Sequence, residues 1–204
     1  MVIYLVRHGK DADGFRGGWS QRGLTDEGIT QSKELGQYLK NHYEEFLINQ
    51  IITSDLTRAL ETSIHIADAL QLPIEKSKEW RETNNGYLAG LSNDKANQKY
   101  PGVYFNRLRM DENYPGGESP SDNFSRIQQA FDKVSENHIE KNHKENILIV
   151  THGGVINIIY HILKGIEWTN KNIPFPTSHT SLHKIEFIKD KWEITQENIV
   201  QHLI

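Results

Sequence analysis

Basic side chains follow several apolar runs of this sequence, and their types suit the chemistry of a phosphoryl group. Residues 2–6 lead directly into Arg7, His8 and Gly9. An arginine stays charged and its planar fork matches phosphate oxygens, whereas a neutral histidine can attack phosphorus through a ring nitrogen. Gly9 leaves room for backbone close to a ligand and can adopt a positive φ. This segment therefore predicts an anion clamp, a nucleophile and a turn.

Two later segments repeat the pattern of an apolar run followed by a basic residue. Residues 50–54 precede Arg58, and residues 145–151 precede His152. In an open α/β sheet, ligands bind at the carboxyl ends of the strands, where the following helices add the positive ends of their dipoles. We therefore expect these basic groups to join those of the first segment in one site for a highly charged ligand, most simply a phosphoryl group.

The elements that position these residues alternate along the chain. The predicted strands are residues 2–6, 50–54, 145–151, 182–190 and 191–198, with a tight turn at 189–191, and the predicted helices are residues 24–42, 55–70 and 152–163. Thr25 is expected to cap the first helix, and Ser54 or Asp55 the second. This alternation predicts a three-layer α/β/α sandwich with a mostly parallel central sheet.

Turn-forming Asn-Gly and Pro-Gly steps interrupt the alternation between about residues 83 and 125. We expect a small cap insertion there, lying over the C-terminal ends of the strands, within a single domain of residues 1–204. The aromatic residues of segment 80–114 are expected to form mostly a hydrophobic core for the cap. Arg107 or Arg109 is a candidate to reach the substrate from it.

The composition narrows the function classes. The 204 residues include 23 basic and 27 acidic side chains, so the net charge of −4 does not favour nonspecific nucleic-acid binding. The absence of cysteine excludes disulfides, thiolate nucleophiles and cysteine-ligated metal sites. The first apolar run is too short to span a membrane and no signal-like segment precedes it, so we expect a cytoplasmic protein without a membrane partner.

Several short motifs occur in order over nearly the whole length of the chain. They are RHG at 7–9, LTDEG at 24–28, TSDLTRALET at 53–62, RETNNGYLAG at 81–90, PGGES at 115–119 and THGG at 151–154. RHG alone is a weak signal, but the ordered set is highly specific. With these motifs the chain resembles the histidine phosphatase superfamily, in the branch that includes the cofactor-dependent phosphoglycerate mutases.

The resemblance implies a mechanism that needs neither a metal nor a cofactor. In that family the histidine of RHG becomes phosphorylated, and here this histidine is His8. Arg7, Arg58 and His152 would bind the phosphoryl oxygens and stabilise charge in the transition state. Glu82 would protonate the leaving oxygen and then activate the water that hydrolyses the phosphohistidine.

Glu118 in PGGES is the rival acid. It could donate the proton itself, or it could orient Arg7 or a loop of the cap. The sequence also departs from the family, because Asp11 and Gly14 stand where a hydroxyl and a phosphate-contacting asparagine are common. This departure suggests that the loop at 10–23 binds substrate in its own way.

The candidate substrate-binding residues lie in that loop, in the cap and beside the strand ends. They are Gly9, Arg16, Trp19, Arg22, Glu118, Gly153 and Ser178. Most of the remaining histidines, at positions 42, 65, 138, 143, 161, 179, 183 and 202, are expected to be solvated.

These residues predict a phosphomonoesterase that acts on a small phosphorylated metabolite through a phosphohistidine. Glycolytic mutases of the family tend to be longer, whereas this sequence has a short cap and ends soon after its last predicted strand. Two alternatives stay open: phosphoryl transfer of the phosphoglycerate mutase type, and a non-catalytic phosphate-binding module. The sequence predicts neither a particular substrate nor an oligomeric state.

Overall fold

The computed structural model describes residues 2–140 and 146–203, without the side chains of residues 138–140. Its strands are β1 (Val2–Arg7), β2 (Ile48–Ser54), β3 (Ile74–Ser77), β4 (Asn146–Thr151), β5 (Leu182–Ile188) and β6 (Lys191–Ile199). Its helices are α1 (Asp26–Asn41), α2 (Tyr43–Phe46), α3 (Thr57–Leu70), α4 (Asn93–Lys99), α5 (Pro120–Glu140) and α6 (Gly153–Lys164). Glu145, the predicted start of one strand, and His143 lie outside the described residues, as does the side chain of His138.

The strands form one sheet in the order β3-β2-β4-β1-β5-β6. The first four strands in this order run parallel, and β5 is antiparallel to both of its neighbours. The predicted, mostly parallel sheet is confirmed. Arg7 lies beside Thr151 and Thr53 lies beside Val150, so the carboxyl ends of β1, β2 and β4 meet at one edge.

The continuous apolar run of β1 reflects burial on both faces of the sheet. Ile3 and Leu5 pack in a core with residues of α5 and α6. Tyr4 and Val6 pack in a second core with residues of α1 and α3. Helices therefore cover both faces, and the predicted three-layer arrangement is confirmed.

All the predicted strands and helices are present among the described residues, with ends that differ by at most two positions. The sequence reading missed β3, which has one large apolar residue, Ile74, in four positions. It also missed α5, although Phe124, Ile127 and Phe131 recur at helical spacing and pack in the core. Of the described helices, none is long and apolar enough to cross a membrane.

Of the features predicted at the ends of helices and strands, two are confirmed and one is wrong. The Thr25 side chain accepts the Gly28 N–H at 3.1 Å and caps α1 as predicted. The predicted turn is confirmed by the positive φ angles of Lys189 (48°) and Asp190 (64°). The expected side-chain cap of α3 is wrong, because its N-cap residue is Leu56 and makes no side-chain cap hydrogen bond.

The cap, defined here as residues 83–119, has its own small core. Leu88, Leu108 and Tyr114 are buried together, and Tyr100 and Phe105 pack against them. The predicted aromatic core of the cap is therefore confirmed for these rings. The predicted end of the insertion at 125 falls inside α5.

Candidate active site

His8 follows the end of β1 and is 5% exposed. Its Nδ1 lies 2.7 Å from the carbonyl oxygen of Gly9, which can only accept, so Nδ1 carries the proton. The Nε–H of Arg58 donates to His8 Nε2 at 3.1 Å. Burial, followed by the charges of Arg58 and Arg7, lowers the pKa of His8 well below 6.5. His8 is therefore a neutral imidazole whose lone pair is on Nε2.

Gly9 is required by packing and not by its backbone conformation. A Cβ atom at Gly9 would lie 2.5 Å from the carbonyl oxygen of Gly28 in α1. The Gly9 N–H donates to Thr62 Oγ1 at 3.0 Å. Gly9 is not among the glycines with a positive φ, so that expectation is wrong. The missing side chain lets the end of β1 approach α1.

Arg58 lies in the first turn of α3, where a positive charge is unfavourable to the helix dipole. Carbonyl oxygens of the loop at 10–23 hold its guanidinium: Nη2 donates to Gly18 at 2.9 Å and Nη1 to Ser20 at 3.1 Å. Asp11 Oδ2 lies 3.8 Å from its Nε. Asp11, one of the departures from the family pattern, therefore partly compensates the charge of this buried arginine.

Arg7 is held by the segment that leads into β5. Its Nη1 donates to the carbonyl oxygen of Thr177 at 2.6 Å, and its Nη2 lies 3.0 Å from His179 Nε2. Burial lowers the pKa of Arg7 from its ordinary value, and Glu82 opposes that shift. An arginine keeps its charge under such a shift, so Arg7 presents a fixed guanidinium beside His8.

His152 lies at the beginning of α6 and is completely buried. Its Nε2 lies 2.9 Å from Ser54 Oγ, and its ring centroid lies 5.1 Å from that of His8. Burial, followed by the charge of Arg58, lowers the pKa of His152 well below 6.5. The Ser54 hydroxyl can donate to Nε2 or accept from it, and the tautomer in which it donates leaves the Nδ1–H of the neutral ring as a donor for a ligand.

Two nitrogen atoms of this cluster, Arg7 Nε and His152 Nδ1, are buried and have no hydrogen-bond partner among the described residues. An unsatisfied buried polar group costs about 1–3 kcal/mol, so it requires an explanation such as a bound ligand or water. Both atoms belong to residues that the sequence assigned to phosphoryl binding. The cluster thus offers free donors to an anion beside the Nε2 atom of His8.

Glu82 lies at the rim of the cluster and faces the start of α6. Its Oε1 accepts the Thr83 N–H at 3.0 Å, and its Oε2 accepts the Gly154 N–H at 3.2 Å. A Cβ atom at Gly154 would overlap the Glu82 carboxylate. The Trp19 indole N–H donates to the Glu82 carbonyl oxygen at 2.7 Å. The second glycine of THGG is therefore what allows this carboxylate to reach the site.

Glu118 is bound to α5 and to the loop that carries Glu82. Its Oε1 accepts the Asn84 N–H at 2.7 Å and a guanidinium N–H of Arg126 at 2.7 Å. Arg126 also donates to the backbone carbonyl of Glu82 at 3.2 Å. Among the alternatives left open for Glu118, this position matches the orienting of a cap loop.

The predicted loop residues, which are half-buried or exposed, contact other residues of the protein. The Arg16 guanidinium lies 4.4 Å from the centre of the Tyr104 ring and lines a cavity. Trp19 holds the backbone of Glu82 through its indole. The Arg22 guanidinium lies over the Phe15 ring.

Two candidates near the strand ends have different positions. Gly153 lines the cavity that contains Arg7 and His8, and a Cβ atom there would lie 3.7 Å from Arg7 Nε. Ser178 is exposed, and the residues on either side of it, Thr177 and His179, hold Arg7 instead.

Sequence reasoning missed several residues of the site, including Ser54, Thr177 and His179. The His179 ring centroid lies 6.1 Å from that of His8. The expectation that most other histidines are solvated holds for His42 alone among the six whose side chains are described, because His161 and His183 are buried and the other three, His65, His179 and His202, are half-buried. Thr177 acts through its carbonyl oxygen, which every residue has, so no residue type could have revealed it.

Two cavities, each of about 510 Å³, meet at Glu82. The one that contains Arg7 and His8 continues along α6 to the segment at 165–177, and is called the long cavity below. The other extends towards Arg16 and the cap. The residues shared by both are Glu82, Thr83, Phe105, Asn106 and Gly154.

Sequence comparison finds relatives over most of the chain. A model of the histidine phosphatase superfamily (branch 1) matches residues 3–200. An uncharacterized phosphatase, PhoE, of Bacillus subtilis is 28% identical over 205 residues, which cover 99% of this chain and 96% of the relative. A 2,3-bisphosphoglycerate-dependent phosphoglycerate mutase of Brucella melitensis is 32% identical over 173 residues, which cover 81% of this chain and 82% of the mutase.

Structure comparison gives the same fold. YhfR of Bacillus stearothermophilus superposes with a TM-score of 0.85 at 26% identity, covering 100% of this chain and 99% of the other. A putative alpha-ribazole-5'-P phosphatase of Escherichia coli superposes with a TM-score of 0.82 at 21% identity, covering 98% and 97% of the two chains. At that identity the second likeness shows a shared fold only.

Proposed function

Because this chain belongs to the histidine phosphatase superfamily (branch 1), we propose that it is a phosphomonoesterase that hydrolyses a small phosphorylated metabolite through a phosphohistidine at His8. The observation that carries the proposal is the neutral, buried His8, whose Nε2 lone pair lies beside the unsatisfied donors of Arg7 and His152. In this proposal the substrate is a small molecule in the cytoplasm, and neither nucleic acid nor membrane takes part.

In the first step the His8 Nε2 lone pair forms a bond to phosphorus while the bond from phosphorus to the alcohol oxygen breaks. Glu82 gives a proton to that oxygen, so the alcohol leaves neutral. Arg58 Nε–H, released from Nε2, then donates to a phosphoryl oxygen, together with Arg7 and His152. The other ring proton stays on Nδ1, which donates to the Gly9 carbonyl oxygen throughout.

In the second step a water oxygen attacks the phosphorus of the phosphohistidine. The Glu82 carboxylate takes a proton from this water, the bond between nitrogen and phosphorus breaks, and the lone pair returns to Nε2. Inorganic phosphate leaves and the starting state of each residue is restored. The charge of the phosphoryl group is met at both steps by Arg7 and Arg58, so the proposal assigns no role to a metal ion.

A mutase is the second candidate, because the Brucella relative that is 32% identical carries that name. The alignment with PhoE, which is named as a phosphatase, covers 99% of this chain, whereas the alignment with the Brucella mutase covers 81%. A mutase passes the phosphoryl group to another position of phosphoglycerate, whereas a phosphatase releases it to water. Product analysis after incubation with 3-phosphoglycerate separates the two by measuring free phosphate against 2-phosphoglycerate.

The proposal is tested with p-nitrophenyl phosphate in the presence of EDTA. We expect turnover by the unaltered protein and a phosphorylated, acid-labile histidine after rapid quenching. His8→Ala should abolish both signals while circular dichroism stays unchanged, whereas His42→Ala, at an exposed histidine of the α1 end, should keep them. Substantial turnover by the His8 variant would refute the assignment of the nucleophile.

A further inference from the structure

The long cavity extends well beyond the phosphoryl-binding cluster, along one side of α6. Gly153, Asn157 and His161 recur every four residues on that side and line the cavity. Eight residues of helix rise about 12 Å, so the backbone of His161 lies about 12 Å along α6 from that of Gly153 at the phosphoryl end. The volume of about 510 Å³ lies within the usual range of pockets that enclose a whole ligand. A phosphoryl group on a three-carbon chain is shorter than this cavity.

Most amide side chains along the cavity are already used by the protein. Asn157 bonds the Phe175 backbone and the Gly153 carbonyl, and Asn170 bonds carbonyl oxygens of the cap. Asn123 bonds Thr83 and Arg126, and the Asn172 oxygen bonds Thr169. These amides therefore fix the shape of the cavity and do not need a ligand.

Four other polar groups at the far end have no hydrogen-bond partner among residues 2–140 and 146–203. They are the Lys171 ammonium, the Asn106 amide, the Trp168 indole N–H and Nε2 of His161. His161 is 3% exposed, and its Nδ1 donates to the Asn157 carbonyl oxygen at 2.8 Å. Its Nε2 is therefore an acceptor inside the cavity. These four residues are called the distal end below.

The charges of the two ends differ. Glu82 is the one acidic residue among the described residues that line the cavity, and it belongs to the catalytic end. The distal end has a lysine and neutral donors, but no carboxylate to balance them. Donors with one positive charge are complementary to a carboxylate or a phosphate. The acceptors, His161 Nε2 and the side-chain oxygen of Asn106, are complementary to hydroxyl groups.

We propose that the distal end is a specificity site for a second anionic group, so that the substrate is an elongated phosphomonoester with an acid at the end remote from the phosphorus. This inference rests on the proposed function, since His8 sets the position of the scissile phosphoryl group. Lys171 binds the second anion, and His161 accepts a hydroxyl of the chain between the two ends. Three-carbon phosphoesters cannot reach both ends at once.

The test compares esters that differ only at the far end. We expect kcat/KM for 6-phosphogluconate to exceed that for sorbitol 6-phosphate by about tenfold. Fructose 1,6-bisphosphate against fructose 6-phosphate tests a phosphate as the second anion, and the pair with the larger ratio identifies the group. The short pair, 3-phosphoglycerate and glycerol 3-phosphate, should give a ratio of about 1, because the carboxylate cannot reach Lys171.

Lys171→Met should reduce the six-carbon ratio to about 1, because it removes the only positive charge of the distal end. Lys40→Met, at an exposed lysine of α1, is the matched control and should keep the ratio. His161→Phe should raise KM for both six-carbon esters by about three- to tenfold with little change in kcat. A ratio that Lys171→Met leaves unchanged, or a short acid favoured as strongly as the long one, would overturn the inference.

Binding measurements on an inactive variant test the distal site independently of turnover. In His8→Ala, calorimetry should show tighter binding of 6-phosphogluconate than of sorbitol 6-phosphate by about tenfold. Equal binding would refute the distal site even if p-nitrophenyl phosphate is hydrolysed. Hydrolysis of none of the esters, with the binding difference present, would instead refute the proposed function.

Discussion

At its catalytic end, the long cavity is lined by residues that bind one another and leave Arg7 Nε and His152 Nδ1 free, whereas the four polar groups of its distal end have no described partner. Arg58 is 2% exposed and bonds His8 and the loop carbonyls, while Lys171 is exposed. The first end is built on strand ends and helix starts, and the second on the cap and the segment at 165–177. The difference supports our proposal that the sheet fixes the reaction and that loops select the substrate.

Glu82→Gln should have the largest effect on the catalytic end. A glutamine cannot donate a proton to the leaving alcohol, so kcat should fall by about 10²- to 10⁴-fold for an alkyl phosphate. The loss should be smaller with p-nitrophenyl phosphate, whose leaving group needs less protonation. Steady-state kinetics with both esters measures this, and Glu118→Gln should cost less than Glu82→Gln. A larger loss in the Glu118 variant would make Glu118 the proton donor.

Acidification should lower the free energy of unfolding, because it protonates His183 of β5. His183 is buried, with Nδ1 2.6 Å from the Tyr160 hydroxyl and Nε2 2.9 Å from Ser181 Oγ. Burial lowers the pKa of His183 from 6.5 to about 4, so the stability due to its neutral form is complete above pH 6.5. That stability, about 3 kcal/mol, is lost as the pH falls towards 4, because the unfolded chain binds the proton first.

Urea unfolding at pH 7 and at pH 4.5 measures the loss of stability in the wild-type protein and in His183→Asn. The asparagine keeps an acceptor for Tyr160 but does not titrate, so the variant should be less stable at pH 7 and less sensitive to pH. The other buried histidines titrate in both proteins, so the difference between the two profiles isolates His183. An equal pH dependence in both would contradict the assignment.

Gly154→Ala should disturb the catalytic end without removing a reacting group. The added Cβ would overlap the Glu82 carboxylate, and displacing a catalytic group by about 1 Å costs up to about 100-fold in rate. Gly153→Ala is the neighbouring control, since its Cβ would lie 3.1 Å from Thr177 Oγ1 and farther from Glu82. We expect a loss of kcat of about 10- to 100-fold for Gly154→Ala and a smaller loss for Gly153→Ala. Equal losses would mean that the two glycines are needed for a common backbone reason.

Arg126→Lys should have the smallest effect on the catalytic end, because Arg126 acts on Glu82 through the backbone. Its guanidinium bonds the carbonyl oxygens of Glu79, Arg81 and Glu82 as well as Glu118, and an ammonium cannot make all these bonds. We expect kcat to fall by about three- to tenfold with KM nearly unchanged. A change confined to KM would instead place Arg126 in substrate binding.

The main elements were predictable because their signals are local. Continuous apolar runs identified β1, β2 and β4, and amphipathic spacing identified α1 and α3. β3 was missed because a short edge strand such as Ile74–Ser77 has almost no apolar pattern. α5 had a usable pattern in Phe124, Ile127 and Phe131, and was missed because the turn-rich segment before it hid its start at Pro120.

The residue types at the strand ends were enough to propose a phosphoryl site, since parallel neighbouring strands must bring their carboxyl ends together. The partners of those residues were not predictable, because they are distant in the chain: Arg7 is held by Thr177, 170 positions away. The free donors, the use of Glu118 as a support and the length of the cavity arise from such contacts. Residue identity and spacing carry local information, whereas the direction and hydrogen bonding of each side chain depend on how distant segments pack.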